Sequence, residues 1–395
     1  MLLALAAASY AYRTVRIARN SGFEDFRVMF RAAVALHEGR SPYDVDQMRE
    51  APFAAHYKYP PLFAALIEPL RPLGFRRAAR VWLCFLEVCY GAAFVVLCRT
   101  FGLAFRSPPF YVAATTVLLF QPSLDSLRGG QLDALLLLLL ASAWASLAAG
   151  REALGGPLIA LAATLKVYPG LLAAHLVVRR RWRALVACAV AALVLTGISV
   201  FAAGWPAHVE FLTRVLPANA GGTAWVENQS LFGFFARFFA DGTVGGPGKE
   251  TEAPAAAMMA ALGGALVLGL TLAAGAVTRE ERALFGALTA AALMVLPVAW
   301  IHYEVILLLP LADLLVRQYE GGGRVTGALL VVATLMLAFG NQQLVVRHPW
   351  VPQSFKLYAV ALVWGLEMRR AFIGPAERGG FRGDASTLSS REVPP

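Results

Sequence analysis

Solid apolar runs of about 15 to 24 residues recur from one end of this chain to the other, each long enough to cross or nearly cross a hydrocarbon core of about 30 Å at about 1.5 Å per residue. Strands of a membrane barrel alternate apolar and polar residues in shorter segments, and these Leu/Ala/Val runs do not alternate. The spans are therefore helices. With 58% hydrophobic and 15% charged residues in 395, the chain is too apolar for a soluble protein. The sequence predicts an all-α, polytopic integral membrane protein.

The expected spans are Ala78 to Cys98, Phe110 to Phe120, Leu132 to Ala149, Ala153 to Val178, Ala184 to Ala203, Ala255 to Val277, Ala283 to Trp300, Tyr303 to Val316, Val325 to Leu344 and Phe355 to Met368. Met1 to Tyr12 lacks the basic leader of a cleaved signal peptide and reads as a short or truncated first helix. Arg13 to Lys58 is polar and is expected to carry amphipathic helices on the membrane surface, Phe26 to His37 among them. Leu62 to Leu73, interrupted by Glu68, Pro69 and Pro72, is expected at the interface. Residues 1–372 read as a single transmembrane domain, and 373–395, rich in Gly, Ser and Pro, as a disordered cytoplasmic tail.

The net charge of +10 does not point to nucleic acid, because the basic residues sit in short loops between spans. Arg179 to Arg183, Arg279 to Arg282, Arg317 to Arg324 and Arg369-Arg370 mark the cytoplasmic side. Keeping all of them inside requires the chain to turn back once between Ala153 and Val178. Lys166 stands in the middle of that run, about 20 Å from either end of a straight helix and beyond the reach of snorkelling. Two short helices meeting at Lys166-Val167-Tyr168-Pro169 resolve both problems, since proline breaks the ladder. The count becomes about twelve crossings with both ends of the chain inside. The first outer segment is itself basic, which anionic headgroups or a substrate phosphate would explain. Cys84, Cys89, Cys98 and Cys188 all lie in apolar runs and read as packing residues.

This topology collects Asp25, Arg128 to Gln131, Lys166 to Pro169, the loop Trp205 to Pro254 and Ile301 to Glu304 on the outer face. The pieces Asp25-Phe26, Gly39-Arg40-Ser41-Pro42-Tyr43, Tyr59-Pro60-Pro61, Gly130-Gln131, Leu165 to Pro169, Asn228-Gln229-Ser230 and His302-Tyr303 follow one another in an order and spacing that resembles the GT-C glycosyltransferases of family 87. The likeness covers roughly residues 20 to 320. It implies a GT-C type fold with outer-face amphipathic helices, a polyprenyl-phosphate sugar donor, and a glycolipid or polysaccharide acceptor. It also implies a multi-pass plasma (inner) membrane enzyme with its site on the extracytoplasmic side. Mannose is the sugar suggested by the family; arabinofuranose or glucose would leave the same marks.

By the same resemblance Asp25 is the general base, and Lys166 and His302 hold the donor phosphate; Arg128 joins them by location. Tyr59, Gln131, Tyr168, Asn228 and Tyr303 are expected to bind substrate. Glu24 neighbours Asp25, but on a helix the two point about 100° apart, so one at most faces a given pocket. One carboxylate base and a phosphate leaving group imply inversion at the anomeric carbon. Plainer readings stand beside these: a solvated loop carboxylate at Asp25, a helix-end snorkeller at Lys166, an interfacial cap at His302 and a chance glycosylation sequon at Asn228. Trp225, Phe232, Phe234, Phe235, Phe238 and Phe239 form an aromatic face that either guides a lipid tail or anchors at the interface. Asp125 and Asp133 flank the Gly130-Gln131 turn and are the nearest approach to a cation site, yet no metal motif stands out and the chemistry requires no metal or other cofactor. The rival functions are a transporter or lipid-linked-sugar flippase, for which no internal repeat is visible, and a scaffold without catalysis.

Overall fold

The apolar runs fold as helices, and among the described residues there is no strand, only an isolated bridge between Asn228 and Trp300. The structure is a computed structural model that describes residues 1–44, 56–239, 253–278, 280–339 and 350–373. The tail expected beyond Ile373, Arg279, and the last residues of the Val325 to Leu344 run lie outside the described residues.

In chain order the helices are α1 (Leu2–Asn20), α2 (Glu24–His37), α3 (Pro61–Ile67), α4 (Gly74–Phe101), α5 (Pro108–Leu119), α6 (Gln121–Gly129), α7 (Asp133–Ala148) and α8 (Glu152–Leu165). There follow α9 (Ala173–Val178), α10 (Trp182–Ala203), α11 (Trp205–Glu210), α12 (Leu216–Asn219), α13 (Leu231–Phe239) and α14 (Pro254–Val277). The last are α15 (Glu281–Val295), α16 (Leu308–Tyr319), α17 (Arg324–Phe339), α18 (Trp350–Gln353) and α19 (Phe355–Ile373). Among the described residues three stretches are long and apolar enough to cross a membrane: Pro61–Phe101, Trp182–Ala203 and Pro254–Val277. Four shorter apolar helices accompany them, at Asp133–Ala148, Glu152–Leu165, Tyr168–Val178 and Arg324–Ala338.

Several boundaries differ from expectation for local reasons. The first helix does not stop at Tyr12 but continues through Arg13, Arg16 and Arg19 to Asn20. Arginine and alanine are good helix formers, so loss of apolar character there does not end the helix. The expected interfacial piece Leu62 to Leu73 is α3 followed by a 3-10 turn over Glu68–Leu73, which leads directly into α4. The run Ala283 to Trp300 is helical only to Val295, because Leu296 is extended ahead of Pro297. Tyr303 to Val316 begins as a 3-10 segment, Ile301–Leu307, before α16. The helix α6, between the expected spans, had no signal in apolar periodicity.

The chain reverses at Lys166. Helix α8 ends at Leu165, Lys166 is extended, and a 3-10 turn over Tyr168–Leu172 leads into α9. The end of α9 returns to where α8 began, since Arg181 reaches the Leu147 carbonyl at 2.8 Å and Glu152 at 3.6 Å. Small residues let α8 sit close against α10. A Cβ at Gly156 would overlap the Ala184 carbonyl and lie 2.9 Å from the Cys188 nitrogen.

Four helices thus have one end in each of two polar regions. At one end lie Asp133 (start of α7), Lys166 (after α8) and His302 (between α15 and α16). At the other, α15 begins with Glu281, which pairs with Arg181 and with Arg179 at 3.3 Å, and α16 ends near Arg317, 3.0 Å from Glu280. With 16 residues in α7, the two regions are about 24 Å apart along its axis. The loops expected on the cytoplasmic side therefore meet in one cluster. Arg370 completes it with ion pairs to Asp313 and Glu367 at 2.7 Å and to Glu280 at 3.7 Å.

Candidate active site

Helix α2 supplies the acid, and its first turn is fixed against the end of α6 by backbone contacts. Ser21 Oγ donates to the Arg128 carbonyl at 2.6 Å and accepts from the Phe23 N–H at 3.1 Å. Phe23 takes a left-handed conformation, φ 46°, which turns the chain sharply into α2. From the other side, Trp82 Nε1 donates to the Gly130 carbonyl at 2.8 Å. Gly130 is itself left-handed, φ 73°, and a Cβ there would lie 2.7 Å from that of Phe26. Only glycine lets the two segments approach so closely.

Asp25 then faces the Gly129 backbone, where a Cβ would overlap its Oδ2. Glu24 is exposed, so of the two adjacent acids only Asp25 is turned to the polar cluster. Its carboxylate is half-buried and hydrogen-bonded to Gln131. Gln131 is buried and accepts from the Tyr59 hydroxyl at 2.5 Å. Burial raises the Asp25 carboxyl above its ordinary range; the Gln131 bond and the charge of Lys166 draw it partly back, and Glu24 and Asp133 push it up again.

The cation of the cluster is Lys166, buried at the helix break. Its Nζ lies 2.9 Å from Asp133 Oδ1 and 3.5 Å from the centre of the Tyr303 ring, with Tyr168 and Tyr59 at 5.7 and 5.9 Å. Tyr168 and Tyr303 stack at 5.3 Å. Aromatic faces attract an ammonium and shield it from water, so this charge is held without being neutralised on every side. Asp133 Oδ2 accepts from Ser126 at 3.3 Å and faces His302 Nε2 at 4.0 Å. That imidazole nitrogen has no hydrogen-bond partner.

The structure brings Asp25, Tyr59, Gln131, Lys166, Tyr168, His302 and Tyr303 into one neighbourhood. Arg128 stands at its rim, its side chain largely exposed and 3.8 Å from Asp125. Asn228 is placed differently. It is fully buried, its amide donates to the carbonyls of Thr223 and Pro297, and its side-chain oxygen accepts from the Ala299 N–H. Both ends of that side chain thus tie the Thr223 to Ser230 loop to the segment before His302. Of the expected aromatic face, Phe232 to Phe239 lie on α13, with Phe238 and Phe239 exposed.

Asp133 is the residue that the sequence reading left out of the site. Its signal was available: α7 and α8 form an antiparallel hairpin, which sets the first residue of one beside the residue following the other. A carboxylate and an ammonium in those two positions, each at the edge of an apolar run, call for each other. Among the described residues no group of three His, Cys, Asp or Glu side chains is arranged to hold a metal ion.

The model of glycosyltransferase family 87 matches residues 57–299. The chain belongs to glycosyltransferase family 87. The matched stretch holds Tyr59, Arg128, Gln131, Asp133, Lys166, Tyr168 and Asn228, while Asp25, His302 and Tyr303 lie outside it. This family 87 chain is similar to the polyprenol-phosphate-mannose-dependent alpha-(1-2)-phosphatidylinositol pentamannoside mannosyltransferase of Mycobacterium tuberculosis (strain CDC 1551 / Oshkosh). The two are 26% identical over 371 residues, 89% of this chain and 81% of that protein. The protein of the same name from Mycolicibacterium smegmatis (strain ATCC 700084 / mc(2)155) is 27% identical over 311 residues, 77% of this chain and 72% of its own. Among solved structures, ArnT from Cupriavidus metallidurans bound to undecaprenyl phosphate aligns with a TM-score of 0.46 at 14% identity, covering 94% of this chain and 77% of that one. The family 87 protein is a membrane glycosyltransferase, and a transporter or scaffold reading is set aside.

Proposed function

We propose that this enzyme moves a mannosyl group from a polyprenyl-phosphate donor to a hydroxyl of a lipid-linked or glycan acceptor, at the outer face of the plasma membrane, with inversion. The donor class is taken from the mycobacterial relatives, whose names state dependence on polyprenol-phosphate-mannose. The observation that carries the reading is that Asp25 and the Lys166 ammonium share one neighbourhood, at the helix ends opposite the arginine cluster: Gln131, which bonds Asp25, accepts from the hydroxyl of Tyr59, whose ring lies 5.9 Å from Lys166 Nζ.

The chemistry asks little more of the protein. The acceptor oxygen attacks the anomeric carbon and forms the new C–O bond as Asp25 takes its proton. The bond from that carbon to the phosphate oxygen breaks on the opposite side, and polyprenyl phosphate leaves with the electron pair. Lys166, His302 and Arg128 hold the leaving phosphate, whose negative charge grows in the transition state. No step calls for a metal. Tyr59 and Gln131 keep the carboxylate pointed at the acceptor; Tyr168 and Tyr303 offer faces for a sugar ring. The GT-C type fold, with about twelve crossings, is part of this proposal.

The test uses membranes with wild-type or Asp25→Asn enzyme, radiolabelled polyprenyl-phosphate mannose and a lipid extract. Labelled product from the wild type and none from the variant supports the reading. Equal product from both removes Asp25 from the chemistry, and no product with mannose but transfer from another polyprenyl-phosphate sugar corrects the donor.

A further inference from the structure

The buried carboxylate of Asp133 has no part in proton transfer as proposed above, yet it faces both Lys166 and His302. It stands on the first turn of α7, completely buried, with Lys166 Nζ 2.9 Å from one oxygen. Ser126 on α6 lies 3.3 Å from the other, which also faces His302 Nε2 at 4.0 Å. An isolated carboxylate here would be costly to keep charged, and an isolated ammonium likewise; together they stabilise one another, and the centres of three tyrosine rings lie 3.5, 5.7 and 5.9 Å from Nζ.

We propose that Asp133 is the positioning residue of the donor-phosphate site: it fixes the Lys166 ammonium with one oxygen and draws the His302 imidazole toward the same point with the other, making the two a single phosphate-binding unit. This rests on the reading of Lys166 and His302 as holders of the donor phosphate. Three observations favour a positioning role over a purely architectural one. Lys166 gives Asp133 only one of its three N–H donors as a short hydrogen bond, and rests over an aromatic face that accepts ammonium without a lone pair. His302 Nε2, buried and without a hydrogen-bond partner, is the kind of group that an incoming phosphate oxygen would satisfy. The Asp133 carboxylate is itself anchored by Ser126, on the helix whose last residues also confine Asp25, so acid and cation are referenced to one short piece of backbone.

The experiment compares steady-state kinetics of wild type, Asp133→Asn, Lys166→Met and the double variant in detergent or liposomes, with donor and acceptor varied separately. Asp133→Asn is expected to raise the donor KM about 30-fold or more, as loss of one partner of a buried, hydrogen-bonded charge pair does elsewhere. The acceptor KM stays within about two-fold, and inhibition by free polyprenyl phosphate weakens in parallel with the donor KM. The double variant is no worse than Lys166→Met alone, since both substitutions remove the same unit. Where Asp133→Asn does not yield folded protein, Asp133→Glu carries the test: its extra methylene shifts the ammonium and raises the donor KM several-fold with the acceptor KM unchanged.

A donor KM unchanged by Asp133→Asn or Asp133→Glu, while Lys166→Met raises it, overturns the inference and leaves the reading of Lys166 intact. Losses that multiply in the double variant also overturn it. If Lys166→Met leaves the donor KM unaltered, the phosphate reading and this inference fall together. If Asp25→Asn retains activity while Asp133→Asn and Lys166→Met behave as expected, the base assignment fails and the positioning role stands.

Discussion

The two charged clusters at opposite ends of α7, α8, α15 and α16 are built on different principles. In the arginine cluster each carboxylate is bracketed: Glu280 by Arg317 and Arg370, Glu281 by Arg179 and Arg181, Asp313 by Arg370 and Arg282, Glu367 by Arg370. In the cluster around Asp25 the partners are of another kind, although buried atoms without a hydrogen-bond partner occur in both clusters, Asp313 Oδ1, Glu367 Oε1 and Arg370 Nη2 among them at the arginine end. Asp25 has a neutral amide for its hydrogen-bond partner, Lys166 pairs with the single carboxylate of Asp133 and sits over a ring, and His302 Nε2 has no hydrogen-bond partner. Carboxylates matched by arginines lock loops together, whereas a carboxylate whose hydrogen-bond partner is a neutral amide keeps its charge available to a substrate. The kind of partner separates a structural network from a site more sharply than burial does, because both clusters mix buried and partly exposed side chains.

The strongest attempt to break this distinction is Asp25→Asn. Loss of a general base is expected to lower kcat by about 10³-fold, within the range for acid–base groups, and to leave thermal stability near that of the wild type. Labelled-sugar transfer and a melting curve on the same preparation read both quantities. A variant that melts early would place Asp25 with the bracketed charges.

Arg370→Met is the converse. Removing the cation shared by Asp313, Glu367 and Glu280 leaves buried carboxylates short of their counter-ion, at a cost of about 3 to 5 kcal/mol of stability. The protein that remains folded keeps its donor and acceptor KM. A change in donor KM at equal folded fraction would show that the far cluster reaches the site.

Much of this arrangement was legible in the sequence, and the reasons for success and failure are physical. The helix break at Lys166 could be read because a lysine in the middle of an apolar run followed by proline has few solutions. The convergence of the arginine loops followed from the expectation that they share one side, and α2 from its polar–apolar spacing. The α6 helix escaped because it lies between apolar runs and makes its hydrogen bonds without an apolar stripe long enough to show a period. The Asp133–Lys166 pair is hidden for another reason: the two residues stand 33 positions apart, and only the α7–α8 hairpin brings them together. Asn228 lay in a recognisable pattern, but nothing in three residues tells a substrate contact from a loop staple, and its amide is bound to backbone at both ends.

Gly129→Ala sharpens the comparison at the scale of a single methyl. The added Cβ would overlap Asp25 Oδ2, and the short aspartate side chain must turn away from Gln131 to make room. Displacement of a reacting group by about 1 Å costs up to about 10²-fold, so kcat is expected to fall roughly 10- to 100-fold. Alanine is a better helix former than glycine at the end of α6, so the melting temperature should hold or rise slightly. The matching change in the arginine cluster is Gly286→Ala, whose Cβ would lie 2.5 Å from Glu367 Oε1. There the effect should appear in stability, with kinetic constants unchanged.

The smallest effect is expected from pH. Activity requires Asp25 ionised, so kcat/KM falls as pH drops through its pKa, and burial places that acid limb above the ordinary carboxylate range. Gln131 stabilises the charged form by donating to it. Gln131→Leu removes that donor, raises the pKa further, and is expected to move the acid limb to higher pH by less than about one unit, since one hydrogen bond is worth about 1 kcal/mol net. A limb that moves to lower pH would mean that Gln131 accepts from a protonated Asp25. In that case Asp25 would already be bracketed in the resting enzyme, and the contrast between its cluster and the arginine cluster would have to be drawn from Lys166 and His302 alone.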